Sequence, residues 1–115
     1  MSDGGAEPDV CVVLITGPDR EGLLELGRRL VEEELAACVN ATDRVRSVYR
    51  WQGEVHEDEE GLALVKTTRA RLDELEARVR ELHPYDEPEF LALSVTAGSR
   101  SYMDWVASSV TPAAS

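Results

Sequence analysis

Two blocks of this chain carry residue types that can do chemistry. Tyr49-Arg50-Trp51-Gln52-Gly53-Glu54-Val55-His56-Glu57-Asp58-Glu59-Glu60 holds two aromatics, a glycine turn and a run of acids with a histidine inside it. Further on, His83-Pro84-Tyr85-Asp86-Glu87-Pro88-Glu89 sets a histidine at a helix end ahead of an acidic corner bracketed by prolines. Neither block looks catalytic, and together they describe a site made by a hairpin and a helix terminus. His56, among Glu54, Glu57, Asp58, Glu59 and Glu60, can trap a cation, or the run is a solvated charged face. His83 can ligate a metal, or it can cap the last carbonyls of its helix, where the dipole favours a cation.

Charge narrows the partners. With 23 acids against 12 bases in 115 residues the formal net charge is −11. A phosphate field would repel such a chain, so nucleic acid and anionic membranes are excluded as main partners, and cations are the natural ligands. No apolar run approaches the ~20 residues of a spanning helix. Met1 to Pro8 lacks the basic and apolar regions of a signal peptide, so the expected compartment is the cytoplasm. Cys11 and Cys38 stand apart in apolar company, without metal-ligand spacing, and read as reduced, buried small residues. Lys66 is the only lysine beside eleven arginines. That composition fits either an ordinary acidic surface or adaptation to high salt, in which a solvated acidic shell keeps the protein soluble.

The elements that must position these residues follow from periodicity. Asp9 to Thr16 is a β-branched run, apolar on both faces and too short for a helix, which predicts a central strand. Gly17-Pro18-Asp19 breaks it. Leu23, Leu26, Gly27, Leu30 and Val31 then recur at helical spacing from about Arg20 to Leu35, opposite Arg28, Glu32 and Glu33. Gly27 costs this helix up to ~1 kcal/mol against alanine, which is tolerable if it lets the helix sit close on a sheet. Residues 36–52 and 54–68 read as a long hairpin reversing at Gln52-Gly53, with a bend or bulge around Asn40 to Asp43. Leu72, Leu75, Val79 and Leu82 predict a second helix from about Ala70. It must end before Pro84, with His83 as its last residue. Phe90 to Val95 reads as a fourth strand, and Ser101 to Val106 as a short closing helix.

The order β-α-β-β-α-β, with right-handed crossovers, is the ferredoxin-like α+β fold, with both long helices on one face of an antiparallel sheet. The other face is left bare. A bare apolar face and an overlong hairpin call for a second copy of the chain. The expected layout is a disordered tail over 1–8, one domain over 9–107 and a frayed tail over 108–115.

Several blocks also carry a family resemblance. Leu35-Ala36-Ala37-Cys38-Val39-Asn40, Ser47-Val48-Tyr49-Arg50-Trp51-Gln52-Gly53, Lys66-Thr67, His83-Pro84-Tyr85, Pro88-Glu89 and Tyr102-Met103-Asp104-Trp105 resemble the signature blocks of the CutA divalent-cation tolerance family. They keep its order and spacing from about Val10 to Val106. The resemblance implies a ferredoxin-like subunit in a tight, often very heat-stable homotrimer built like the PII-type signal proteins. It also implies an association with tolerance to copper and other divalent metals, without an established enzymatic activity. In some members copper has been connected with a first-strand cysteine, the histidine of the His-Pro-Tyr block and the glutamate of the Pro-Glu pair. The last two correspond to His83 and Glu89, while the cysteine position holds Ile15. Loss of the thiolate weakens the case for Cu(I), and imidazole with carboxylate suits Cu(II) or Zn(II). Asp86 and Ser94 stand where relatives often have Glu and Pro, and look like conservative changes.

Other chemistries of this fold fare worse. An acyl-phosphate site needs backbone amides with an Arg and an Asn, but beside Arg20 the Pro18 offers no amide and Asp19 opposes phosphate. An RNA-binding sheet needs exposed aromatics on a basic surface, against one Phe and strong negative charge here. Tyr49, Trp51, Tyr85, Tyr102 and Trp105 suit a subunit interface better than a core. The sequence therefore leads to a cytoplasmic, non-enzymatic homotrimer that binds or responds to divalent metal ions (Cu2+, Zn2+) at His83 and Glu89, with no required cofactor. The alternative is a PII-like module whose inter-subunit clefts hold a small anionic ligand or a partner segment, which would need Lys66, Arg20 or Arg50 to line the cleft.

Overall fold

A computed structural model describes residues 9–112. The expected tail at 1–8 and the end of the C-terminal tail, 113–115, lie outside the described residues. The elements run β1 (Val10–Gly17), α1 (Arg20–Glu32), β2 (Cys38–Trp51), β3 (Glu54–Thr68), a 3-10 turn (Arg69–Arg71), α2 (Leu72–Leu82), β4 (Leu91–Ser94) and α3 (Arg100–Ser108). The sheet order is β2-β3-β1-β4, and every pairing is antiparallel. This is the ferredoxin-like α+β topology. No helix among the described residues is long and apolar enough to cross a membrane.

Alternation along β1 decides what packs where. Val13 and Ile15 are fully buried with Ala63 and Val65 of β3, beneath Leu23, Leu26 and Leu30 of α1 and Leu75 and Val79 of α2. Burying each such large aliphatic side chain stabilises the fold by about 1.5–3 kcal/mol. Gly27 makes the close approach possible, because a Cβ there would stand 2.9 Å from Val39 Cγ1. The Asp19 carboxylate starts α1 by accepting from the Gly22 amide at 2.8 Å. The helix stops at Glu32, three residues short of the expected end. Glu34 takes a positive φ of 60°, and the Leu35 amide turns back to the Leu30 carbonyl at 2.9 Å, burying Leu35.

Val10 points to the opposite face from Val13 and Ile15 by the pleat. It packs with Ala37, Met103, Val106 and Val110. The second face is thus not wholly bare, since α3 covers its Val10 end. The C-terminal segment stays packed beyond the expected boundary at 107: Val110 is buried and the Thr111 amide donates to the Glu34 carbonyl at 3.0 Å. The rest of that face presents Val12 and Leu14 flanked by Leu91 and Leu93 on one side and Leu64 and Lys66 on the other. Leu91 and Leu93 are 55% and 52% exposed.

The β2–β3 hairpin turns at Gln52 (φ 52°) and Gly53 (φ 83°). Positive φ at both central residues suits the twist of a two-residue hairpin loop. A register shift between Thr42 and Val45, with Arg44 at φ 64°, bends β2 where a bulge was expected. Pairing of β1 with β3 ends at Gly17 and Gly61, so the remainder of the hairpin, beyond Glu60, pairs only with itself. It projects from the body, and the molecule measures 52 × 25 × 23 Å.

Candidate metal site at the end of the second helix

Helix α2 ends one residue earlier than expected, and the reason is Pro84. The residue before a proline avoids helical geometry, and His83 is extended (φ −80°, ψ 140°), just outside the helix. Its side chain does not cap the carbonyls of α2. It reaches β1 instead: Nε2 lies 2.7 Å from the Thr16 carbonyl oxygen, and the Tyr85 amide donates to Nδ1 at 3.0 Å. A carbonyl can only accept and an amide N–H can only donate, so both partners dictate one tautomer. Nε2 carries the proton and Nδ1 the lone pair. The ring is buried, at 8% exposure.

Tyr85 links this imidazole to the hairpin. Its ring packs against the His83 ring with centroids 4.7 Å apart, and its hydroxyl donates to Glu60 Oε2 at 2.8 Å. Burial, reinforced by the bond to Glu60 and that carboxylate's charge, pushes the Tyr85 phenol well above its ordinary value. Glu89 is half-buried beyond Pro88. Burial raises its carboxyl above the usual range, and the charge of Glu60 adds to the shift. Glu60 therefore bonds Tyr85 directly and acts on Glu89 through its charge. A recess of ≈ 180 Å³ beside the histidine is lined by Pro18, Asp19, Gly22, Leu23, Leu26, Leu82, His83 and Pro84.

The other sequence candidates sit elsewhere. His56 pairs with Tyr49 across the projecting hairpin and stacks on it at 5.5 Å, while the Tyr49 hydroxyl bonds Asp58. Ile15, at the position of the thiolate, is fully buried in the core. Among the described residues no group of three or more His, Cys, Asp or Glu stands close enough to hold a metal ion. The bases required by an anionic ligand are dispersed. Lys66 bonds Asn40 opposite Val12, Arg20 pairs with Glu21 at 3.5 Å, and Arg50 lies at the hairpin tip.

In the sequence, Thr16 reads only as part of a strand and Glu60 only as one of the acids around His56, not as partners of the His83 block. Glu60 sits inside a run of acids that looks uniformly solvated. Strand alternation distinguishes it, because it shares the row of Leu62 and Leu64 and falls at the last pair before the bulge, opposite Val45.

The arrangement meets one requirement for a metal-binding imidazole. Such a ring almost always donates its other N–H to a carboxylate, backbone carbonyl or water, which fixes the tautomer and aims the lone pair. His83 has that partner in Thr16.

Comparison with known proteins agrees with the fold and the blocks. The divalent-cation tolerance protein CutA of Thermus thermophilus is 53% identical over 95 residues, covering 83% of this chain and 92% of that protein. The solved structure of a divalent cation tolerance protein from Thermus thermophilus superposes with a TM-score of 0.86 at 49% identity, over 89% of this chain and 99% of that one. CutA1 from Oryza sativa superposes with a TM-score of 0.87 at 37% identity, over 91% and 96%. The family model described as CutA1 divalent ion tolerance protein matches residues 11–109, and the chain belongs to that family.

Proposed function

We propose that this protein serves divalent-cation tolerance as a homotrimer without enzymatic turnover, and that it holds Cu2+ or Zn2+ at Nδ1 of His83 and the carboxylate of Glu89. The observation that carries this reading is the His83 ring. Its Nε2–H is spent on the Thr16 carbonyl at 2.7 Å, so a metal would have to take Nδ1 and displace the Tyr85 amide that now donates to it at 3.0 Å. Imidazole and carboxylate donors suit Cu2+ and Zn2+, and with Ile15 in place of a thiol nothing favours Cu+. A bound divalent ion would offset the charge of Glu60 that Glu89 now opposes.

Two protein ligands do not complete a coordination shell, so water or a neighbouring subunit supplies the rest. Affinity is then weaker than in a closed structural zinc site. Trimerisation is supported by the row of Val12, Leu14, Leu91 and Leu93 on the sheet face that α3 leaves open, and by Tyr102 and Trp105, which are 46% and 45% exposed. Apolar surface of this kind, in contiguous patches, marks an interaction site.

Calorimetric titration of the tag-free protein with Cu2+, Zn2+ and nucleotides tests the reading. Saturable binding of the metals, weakened in Glu89→Gln, is expected. Binding of nucleotides with no binding of either metal would instead support a PII-like ligand module.

A further inference from the structure

We propose that Lys66 pairs with a carboxylate of a second copy of this chain, and that this ion pair fixes how the copies meet. The proposal rests on the homotrimer reading. Lys66 is the only lysine in the sequence, and it stands on the apolar row of the sheet rather than on the charged surface. In register it lies opposite Val12 of β1 on one side and Cys38 of β2 on the other, and Val12 in turn lies opposite Leu93 of β4. Residues directly opposite one another share a face of the sheet. The lysine is half-buried there.

Its ammonium group has three protons to place. The acceptor beside it is the neutral Oδ1 of Asn40, two residues along β2 from Cys38. Among the described residues no Asp or Glu pairs with it, although the chain carries 23 acids against 12 bases. Arg46, Arg69 and Arg78, by contrast, each hold a carboxylate, at 2.7, 2.9 and 2.8 Å. In a separate subunit water can serve the remaining protons. Whatever covers Val12, Leu14 and Leu93 strips that water away, and a charge taken out of water is costly unless it is paired. The occupant must therefore bring a carboxylate together with apolar surface. A second copy brings both, because this row is continuous with the surface assigned to subunit contact and each copy has acids in surplus. Copies that each carry a net charge of −11 repel one another. A base at the contact offsets part of that repulsion and rejects every register in which no carboxylate meets it.

A single lysine makes the test direct. A water-soluble carbodiimide activates a carboxylate, Nζ of Lys66 attacks it, and an amide forms as the urea leaves, which joins only groups already in contact. The whole wild-type protein should yield covalently linked subunits, and peptide mass spectrometry should locate the bond between Lys66 and an Asp or Glu of another copy. Lys66→Arg, which keeps the charge but not the amine, should yield no such link while remaining trimeric by light scattering. Lys66→Met removes the charge and keeps the stem. It leaves the facing carboxylate unpaired, so it should raise the dissociation constant of the assembly by about tenfold or more. Assembly that is unchanged or tighter in Lys66→Met would overturn the ion pair, as would a trimeric wild type in which Lys66 links only within its own chain or not at all. A folded, monomeric wild type would overturn the homotrimer reading and this proposal with it. The wild-type coupling decides the question whether or not a variant folds.

Discussion

Nε2 of His83 donates to the carbonyl of Thr16 over 2.7 Å, tying the end of β1 to the first residue beyond α2. The bond is buried with the ring, and its loss would strand a carbonyl away from water. His83→Ala should therefore lower stability by about 1–3 kcal/mol. His83→Gln, whose amide nitrogen can reach the same carbonyl, should recover part of that loss. Chemical denaturation of the three proteins checks the order wild type, Gln, Ala.

Gly27 is where α1 touches the sheet. An added methyl group would stand 2.9 Å from Val39 Cγ1 and 3.0 Å from its Cβ, and a β-branched strand residue has little room to yield. Overpacking of about 1–3 kcal/mol exceeds the helix-propensity gain of up to ~1 kcal/mol. Gly27→Ala should lower the melting temperature, and adding Val39→Ala should restore much of it. An increase on Gly27→Ala alone would contradict this packing.

Arg78 of α2 grips both oxygens of Glu33 at 2.8 Å, joining α2 to the end of α1. That hydrogen bonding, supported by the charges of Arg78 and Arg29, holds the Glu33 carboxyl below its usual range. A carboxyl depressed in the folded state contributes stability above its unfolded value, near 4.3, and loses it as pH falls through the lower folded value. Glu33→Gln should melt below the wild type at pH 7, and the two curves should converge in acid. Melting temperatures at pH 7 and pH 3 decide it.

Leu93 and Trp105 lie on the surfaces assigned to the subunit interface. An obligate assembly buries on the order of 1,000 Å² or more per subunit, so the wild type should remain trimeric on dilution to nanomolar concentration. Leu93→Asp should shift the mass measured by light scattering toward monomer. A wild-type chain that is folded and monomeric would contradict the proposed assembly.

Hydrophobic period and turn chemistry made most of the fold readable. The apolar run of β1, the helical spacing of Leu23 to Leu30 and of Leu72 to Leu82, and Gln52-Gly53 at the hairpin all correspond to elements in place. What escaped depends on distant contacts or on unusual backbone. Glu34 adopts positive φ without being glycine, so the early end of α1 carried no local signal. Val110 looked like part of a frayed tail because its partners, Val10 and Ala37, are far away in sequence. At the site, His83 and Glu89 were legible as residue types. The partner that sets the His83 tautomer is Thr16, brought alongside only when β1 lies central in the sheet and α2 crosses over it.

Zinc titration of wild type, His83→Gln and His56→Ala tests the central claim most directly, because glutamine can keep the bond to Thr16 while removing the imidazole lone pair. The account predicts that His83→Gln stays folded and trimeric but loses Zn2+ binding, and that His56→Ala binds like the wild type. Retained binding in His83→Gln together with its loss in His56→Ala would contradict the account and place the cation in the acidic hairpin.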